Sequence, residues 1–214
     1  MSTLRTGRQM FYNVFSYFYD AFITLHSGHN RDETRRYLVN SSTIKSTKKG
    51  RVLDICCGTG SVVLAFAEKY ADIIAIGYDF SPGMLHKAKA KDPSGKVIFV
   101  IGDAACLSFI DDCFDVVCCS HALYELKGSM RTDALQEMKR VIKPEGQVLI
   151  MEHEVPRKPV VKMMFYLRMM MMGPTDSHEF VKQGLLPFKK IFDDVTISHT
   201  PSGKSKLVIC RKDI

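Results

Sequence analysis

The chain has 214 residues, of which 46% are hydrophobic, and a formal net charge of +7. A chain of this size can bury one substantial core, so we expect a single domain. No run approaches the about 20 apolar residues of a membrane-spanning helix, which excludes that class. The first eight residues lack the apolar core and cleavage pattern of a signal peptide, so we expect a cytoplasmic protein.

The seven cysteines include two adjacent pairs and fit no disulfide framework. They lie in or beside predicted buried strands, where reduced cysteine behaves as a small hydrophobic residue. The alternative is a thiol cluster of Cys56, Cys57, Cys118 and Cys119 that binds a metal or arsenic. Because adjacent residues of a strand point to opposite faces and no Cys-x-x-Cys motif is present, we expect no metal.

Positive charge is scattered along the chain rather than gathered into one stripe. The short basic runs at 45–49, 87–91 and 204–206 are predicted to be a linker, a solvated helix face and a hairpin tip. A nucleic-acid interface would show a basic stripe with interleaved aromatic residues, and none is present. We expect no nucleic-acid partner, while attraction to an anionic membrane surface stays open as an alternative.

A buried strand followed by a glycine-bearing turn begins at Arg51. The apolar run has Asp54 at its carboxyl end, and Gly58 and Gly60 then let the backbone approach a ligand closely. Residues 61–70 have helical composition, so the turn delivers a helix N-terminus to the same place. A carboxylate here would repel a pyrophosphate but suits a ligand with an ammonium group, such as S-adenosylmethionine.

Two further apolar strands also end in acidic residues. The strand 73–78 ends at Asp79, 25 residues after Asp54, where an α/β unit places the carboxylate that accepts both ribose hydroxyls. The strand 97–101 leads to Asp103 and Ala104, whose carboxylate and backbone N–H could read an adenine ring. Solvated loop acids could explain each position singly, but three successive strand ends predict a ligand site at one edge of the sheet.

Five motifs together resemble the ordered motifs of class I S-adenosylmethionine-dependent methyltransferases. They lie at residues 53–60, 77–84, 102–104, 114–124 and 141–146. Within that superfamily the chain most resembles the ubiquinone/menaquinone-biosynthesis branch.

That branch assignment depends on four short segments, at residues 17–20, 27–29, 81–85 and 123–126. Phospholipid-amine and other small-metabolite methyltransferases share these features and stay open as alternatives. An alternative from another class is a regulatory or scaffold protein that binds the cofactor without turnover.

The resemblance implies an α/β fold, a doubly wound Rossmann-like sheet of about seven strands with the last antiparallel, and an N-terminal helical cap. It implies one methyltransferase domain over 1–214, with a cap at 1–45, a cofactor-binding core at 46–155, and substrate-side helices and closing strands at 156–214. It also implies S-adenosylmethionine as cofactor and S-adenosylhomocysteine as product. The expected cofactor-binding residues are Asp54, Ile55, Cys56, Gly58, Thr59, Gly60, Asp79, Phe80, Met84, Asp103, Ala104, Ser120 and Tyr19.

One position departs from the pattern of this family. Glycine often stands two residues after the acid, and Cys56 occupies that position here. A residue with a β-carbon adopts a positive φ only at an energetic cost. Because Gly58 and Gly60 remain, we expect the turn to keep its role in binding the cofactor.

An aromatic segment near the N-terminus predicts a helix that covers the core. Its phenylalanines recur with helical spacing, at Phe11, Phe15, Phe18 and Phe22. We interpret this stripe as a packed cap that also roofs the cofactor. Tyr19 would then lie near the amino-acid end of the cofactor, with His26 or His29 towards the acceptor.

The last quarter of the chain contains a methionine-rich segment at 160–172. Such a helix suits either core packing or an irregular apolar pocket. Residues 180–187 predict a short helix, and 188–199 with 204–211 predict a closing antiparallel pair. We expect a small, apolar acceptor such as a quinone precursor, with peripheral membrane association as an open possibility.

Methyl transfer from a sulfonium needs an in-line nucleophile at close range more than acid–base groups. Methylation of a phenolic ring at carbon would also need a phenolate, formed with the help of a base. His121, after the fourth strand 114–119, is the predicted base, and His153 and Glu152 are further candidates. The acceptor atom and the oligomeric state do not follow from the sequence.

Overall fold

The computed structural model describes residues 30–44, 49–155 and 177–212, together with residues 9, 12, 13, 159, 160, 162, 163 and 166. Tyr19, His26, His29 and most of both apolar segments lie outside the described residues. Helices and strands are numbered below within the described part of the chain.

Seven strands form one sheet, with β1 at Gly50–Ile55, β2 at Ile73–Asp79, β3 at Val97–Ile101, β4 at Phe114–Ser120, β5 at Ile142–His153, β6 at Asp194–His199 and β7 at Ser205–Arg211. Their order is β3-β2-β1-β4-β5-β7-β6. Strand β7 pairs antiparallel with β5 and β6, whereas the pairs from β3 to β5 are parallel. The predicted doubly wound, seven-stranded sheet is confirmed.

Helices cover both faces of the sheet, with α1 at Asn30–Asn40, α2 at Ser61–Lys69, α3 at Pro82–Ala90, α4 at Ser129–Val141, α5 at Ser177–Lys182 and α6 at Leu186–Lys189. One apolar core lies beneath α1 and α2, and a larger one beneath α4, α5 and α6. Because both faces are covered, β1 and β4 are nearly continuous apolar runs. None of the described helices has the length and hydropathy needed to cross a membrane.

The paired cysteines of β4 pack into both cores. Cys118 belongs to the core under α1 and α2, and Cys119 to the core under α4. Burial raises the pKa of the Cys118 thiol, and a hydrogen bond with Cys56, together with burial, raises the pKa of the Cys119 thiol, so both remain neutral hydrophobic side chains. Among the described residues, no group of three or more His, Cys, Asp and Glu side chains is arranged to hold a metal ion.

The prediction of a strand from residue 188 is wrong for its first six residues. Phe188 lies in α6, which has Pro187 in its first turn, and β6 begins at Asp194. The buried Phe188 ring packs edge-on against Phe180 of α5, at 5.9 Å between centroids. This tertiary contact favours a short helix over an extended strand, although the apolar pattern of the sequence suits either.

Candidate active site

The carboxyl ends of the parallel strands meet at one edge of the sheet. Asp54 of β1 is in register with Gly77 of β2 and with Cys118 of β4, and Cys118 is in register with Leu149 of β5. Strand order reverses between β1 and β4, and open α/β sheets bind ligands at such a switch point. The structure therefore brings the predicted strand-end residues together at this edge.

The turn between β1 and α2 contains three residues with positive φ. They are Cys56 at 55°, Gly58 at 54° and Gly60 at 77°. A β-carbon on Gly60 would lie 3.0 Å from the β-carbon of Ala88 and 3.2 Å from the Phe99 ring, so packing requires glycine there. A β-carbon on Gly58 would meet nothing within 4 Å, so Gly58 borders open space.

The Cys56 conformation leads to a stability prediction. A β-branched residue is strongly disfavoured at positive φ, so we expect Cys56→Val to lower the free energy of unfolding by about 1–3 kcal/mol. Cys56→Gly relieves the strain and should lower the free energy of unfolding less than Cys56→Val does. Urea denaturation measures both values. The control is Cys106→Val, which should have little effect because Cys106 is exposed. Equal losses for the valine and glycine variants would show that side-chain packing, and not strain, dominates at Cys56.

Asp54 lies beneath this turn. Its Oδ2 accepts a hydrogen bond from the backbone N–H of Val63 at 3.2 Å, and its Oδ1 accepts one from the Cys118 thiol at 3.4 Å. The residue is 1% exposed, and burial raises the pKa of its carboxyl group to about 7. A positive charge bound at the turn would favour the ionised form. Contact of Asp54 with an ammonium group remains a prediction.

Asp79 connects the turn to the end of β2. Its Oδ2 accepts from the N–H of Gly58 and its Oδ1 from the N–H of Ser81, each at 2.9 Å. Asp79 is 6% exposed, and burial raises its pKa while these backbone donors oppose the rise. Each carboxylate oxygen has a second lone pair, so Asp79 can also accept bonds from two adjacent hydroxyl groups of a ligand.

The loop after β3 lies beside Asp79. Gly102 donates its N–H to the backbone carbonyl of Asp79 at 3.0 Å, and Asp103 accepts from the N–H of Ala105 at 3.1 Å. A β-carbon on Gly102 would lie 1.7 Å from the Tyr78 hydroxyl, so only glycine fits. The structure thus places Asp79 and Asp103 in adjoining loops, and their contacts with the ribose and adenine of an adenosine group remain a prediction.

The other predicted residues line this edge at different depths. Ile55, Thr59 and Met84 are buried, whereas Phe80 and Ser120 are half-buried. Ile55 packs in the core under α4, Thr59 lies within the glycine turn, and Met84 lies in the first turn of α3. Whether they contact a ligand remains a prediction, as it does for the half-buried pair.

Gln9 and Asn13 contact the loop between β2 and α3. Gln9 Nε2 donates to the Phe80 carbonyl at 2.8 Å. Asn13 Oδ1 accepts from the Ser81 hydroxyl at 2.8 Å and from the Gly83 N–H at 3.0 Å. This role of Asn13 was not predicted, because no local pattern in the sequence relates Asn13 to a helix start 68 residues later.

Tyr12 connects the loop after β2 to the loop after β4. Its ring packs edge-on against Phe80, at 5.5 Å between centroids, and its hydroxyl donates to the Glu125 carboxylate. These two loops flank the strand ends of β1. Tyr12 therefore joins two loops at the edge where the predicted site residues meet, and the role of the N-terminal segment as a roof remains a prediction.

Two histidines stack at the ends of β4 and β5. His121 has a positive φ of 53°, and its backbone N–H donates to the backbone carbonyl of Met151 at 2.8 Å. Its ring stacks on that of His153, at 4.1 Å between centroids, and Tyr124 lies 5.8 Å from His153. The two rings thus form one stacked pair at the carboxyl ends of β4 and β5.

Two shallow concavities, of about 390 and 250 Å³, lie along α4 and α6 and not at the strand ends. The larger is lined in part by Lys139 and Arg140. Lys139 is paired with Asp193 and Arg140 with Glu137, so these cations already have carboxylate partners. The geometry favours the carboxyl edge as the functional site.

A family model described as a methyltransferase domain matches residues 52–146. The demethylmenaquinone methyltransferase of Staphylococcus epidermidis is 34% identical over 143 residues, which cover 66% of this chain and 58% of that protein. The Staphylococcus aureus enzyme of the same name is 35% identical over 150 residues, which cover 69% of this chain and 60% of that protein. The chain thus spans 58–60% of the length of these curated relatives.

Solved structures show the same fold at lower identity. A putative methyltransferase of Haloferax volcanii, solved in complex with a methyltransferase activator, has a TM-score of 0.73 and 16% identity, covering 95% of this chain and 98% of that one. A putative S-adenosylmethionine-dependent methyltransferase of Methanococcus maripaludis has a TM-score of 0.66 and 18% identity, with 94% of each chain covered.

Proposed function

We propose that this chain, which contains a class I S-adenosylmethionine-dependent methyltransferase domain, transfers a methyl group from that cofactor to a small, apolar acceptor such as a quinone precursor. The observation that carries the proposal is the Asp79 carboxylate, which is buried at the carboxyl end of β2 and bonded to the glycine turn. The names of the staphylococcal relatives support a quinone-related acceptor.

The described residues fit S-adenosylmethionine better than a phosphorylated cofactor. Asp79 retains lone pairs for two ribose hydroxyls, and Gly58 offers open space for close approach. A buried carboxylate at Asp54 beneath the turn would repel phosphate but favours a ligand that carries positive charge. When bound, the cofactor supplies a methyl group that its sulfonium already activates.

The chain itself has three tasks in this reaction. Asp79 and the turn orient the cofactor, and Tyr12 closes the edge between Phe80 and Glu125 and so excludes water. The stacked rings of His121 and His153 border the place where an acceptor would approach. Orientation at near-attack distance is the main requirement for methyl transfer.

An apolar acceptor is supported by exposed side chains after β5. Val160 and Met163 are each 66% exposed, in the segment that we predict to form the acceptor side. Apolar groups in contact with water favour an apolar ligand or the surface of a membrane. Delivery of the acceptor from a lipid surface, and a cytoplasmic location, are parts of this proposal.

Cofactor binding should depend on pH through Asp54. Without ligand its pKa is raised from 3.8 to about 7, so the protonated form stabilises the fold at low pH and that contribution is lost as pH rises towards 7. A cationic ligand needs the ionised form, so the affinity should be about 10-fold higher at about pH 8 than at about pH 6.

The Asp54→Asn variant is the matched test of this dependence. It keeps the shape of the side chain but removes the titration, so the affinity should become independent of pH and fall about 10-fold at about pH 8. Calorimetric titration with S-adenosylmethionine measures both effects. A wild-type affinity that is flat across this range would contradict a role for Asp54 in binding positive charge.

The proposed function is tested by following S-adenosylhomocysteine release with three acceptors: naphthohydroquinone, phosphatidylethanolamine in vesicles, and a small amine. We expect cofactor binding by calorimetry and the fastest turnover with naphthohydroquinone. Preference for phosphatidylethanolamine would favour the phospholipid alternative. Binding without turnover of any acceptor would favour the regulatory or scaffold alternative, and absence of cofactor binding would contradict the proposal altogether.

A further inference from the structure

Glu152 is a buried acid at the carboxyl end of β5 that the tasks described above do not use. The residue is 4% exposed, and its Oε1 has no hydrogen-bond partner within the described ranges. A buried carboxyl oxygen without a partner is costly, and native proteins rarely keep one. Such an atom at a ligand-binding edge points to a ligand group that completes its bonding.

The register of the sheet places Glu152 beside the predicted cofactor site. Asp54 is level with Cys118 and Leu149, so Glu152 lies three residues further towards the carboxyl edge. It shares a face of β5 with Ile150, because side chains alternate along a strand. Ile150 belongs to the core under α4, so the Glu152 side chain leaves the strand on that side.

Four neighbouring elements set the charge around Glu152. Lys206 of β7 is its cross-strand partner, Arg131 comes from α4, Glu125 from the short 3-10 helix Leu123–Glu125 that follows β4, and Cys119 from β4. Burial is the largest influence and raises the pKa of Glu152 to about 8, Lys206 and Arg131 oppose the rise, and Glu125 adds to it. The carboxyl group can therefore exchange a proton near neutral pH, which suits a general base.

Glu125 connects this acid to the N-terminal segment. Its carboxylate accepts the hydroxyl of Tyr12, and its charge acts on Glu152. Arg131 is held in place by the carbonyls of Leu123 and Leu126, at 3.2 and 2.6 Å. Glu125 is thus both the partner of the Tyr12 hydroxyl and one of the charged groups that act on Glu152.

We propose that Glu152 is the catalytic base for a hydroxyl-bearing aromatic acceptor, an inference that rests on the methyl transfer proposed above. The acceptor O–H bond breaks and its proton passes to Oε1 of Glu152. An electron pair of the resulting phenolate forms the bond to the methyl carbon, while the carbon–sulfur bond breaks with its electrons on sulfur.

The proton balance depends on the atom that takes the methyl group. If the oxygen is methylated, Glu152 later releases its proton to solvent. If a conjugated ring carbon is methylated, that carbon loses its own proton to solvent, and Glu152 returns the first proton to the oxygen. This assignment replaces His121 as the predicted base, and leaves His121 and His153 to contact the aromatic ring.

A binding experiment tests the inference without turnover. Protein saturated with S-adenosylhomocysteine is titrated with naphthol and, separately, with methoxynaphthalene, which lacks the hydroxyl proton. We expect the wild-type protein to bind naphthol about 5- to 10-fold more tightly, from one buried hydrogen bond. Glu152→Leu should abolish this preference. Equal affinities in the wild-type protein, or a preference that survives in Glu152→Leu, would overturn the inference.

Kinetics with naphthohydroquinone separate a base from a hydrogen-bond acceptor. Glu152→Gln can still accept a bond but cannot take a proton, so kcat should fall at least about 100-fold with unchanged cofactor affinity. In the wild-type protein kcat/KM should rise with pH to a midpoint at or below about 8, and this rise should disappear in Glu152→Gln. An undiminished kcat with the same pH profile would overturn the inference.

Glu154→Gln is the matched control. Glu154 lies two residues beyond Glu152, beyond the end of β5, where its side chain is 33% exposed and its Oε2 lies 3.4 Å from Nε2 of His199. Its substitution should leave kcat and the pH profile unchanged. Failure of the wild-type protein to bind S-adenosylhomocysteine would contradict the proposed function itself, whereas normal cofactor binding with no naphthol preference would contradict the Glu152 role alone.

Discussion

An Asp79→Ala variant is expected to bind S-adenosylmethionine at least about 10-fold more weakly than the unmodified protein. Two ribose hydroxyls lose a buried acceptor, each worth about 1–2 kcal/mol. The backbone N–H groups of Gly58 and Ser81 lose theirs as well, so the glycine turn is held less firmly. Calorimetric titration measures the dissociation constant, and thermal unfolding shows how far the fold itself is affected.

Asp92 is the control, because it is another aspartate whose carboxylate accepts a backbone hydrogen bond. Its Oδ2 also accepts a backbone bond, from Val97 at 2.8 Å, but at the opposite edge of the sheet. Asp92→Ala should therefore leave cofactor affinity unchanged. If the alanine variant misfolds, Asp79→Asn takes its place in the test, because it preserves the shape of the side chain. An unchanged dissociation constant in a folded Asp79 variant would remove this residue from the site.

Deletion of residues 1–25 is expected to abolish turnover. It removes Tyr12, which contacts both Phe80 and Glu125, and Asn13, which accepts two hydrogen bonds from the N-terminal end of α3. Water would then reach the reacting groups, and the acceptor would lose part of its pocket. Release of S-adenosylhomocysteine is the measurement, and cofactor binding is followed separately.

Point variants distinguish the covering role from a general loss of stability. Tyr12→Phe removes the bond to Glu125 but keeps the ring against Phe80, so it should lower kcat more than cofactor affinity. Asp32→Ala, at an exposed position of α1, should change neither. A truncated protein that retains most of its turnover would show that the N-terminal segment is not a roof.

The sequence by itself determined the succession of strands along the chain, the position of the glycine turn, and the acids at the ends of β1, β2 and β3. These features follow from local rules, because apolar runs alternate with turn residues and each parallel strand ends at the same edge. It also located Cys56 as the departure from the glycine pattern. Cys56 has a positive φ of 55°, a conformation that glycine adopts more readily than a residue with a β-carbon.

Only the tertiary structure decided which groups meet across long separations in the chain. Tyr12 reaches Glu125 across 113 positions, and the His121 ring stacks on His153 because the chain reverses at positive φ after β4. The buried state of Glu152 depends on neighbours from β4, α4 and β7, which no periodicity within β5 encodes. Local patterns determine the strand or turn on which a residue lies. The charge state and the partners of its side chain depend on packing between distant segments.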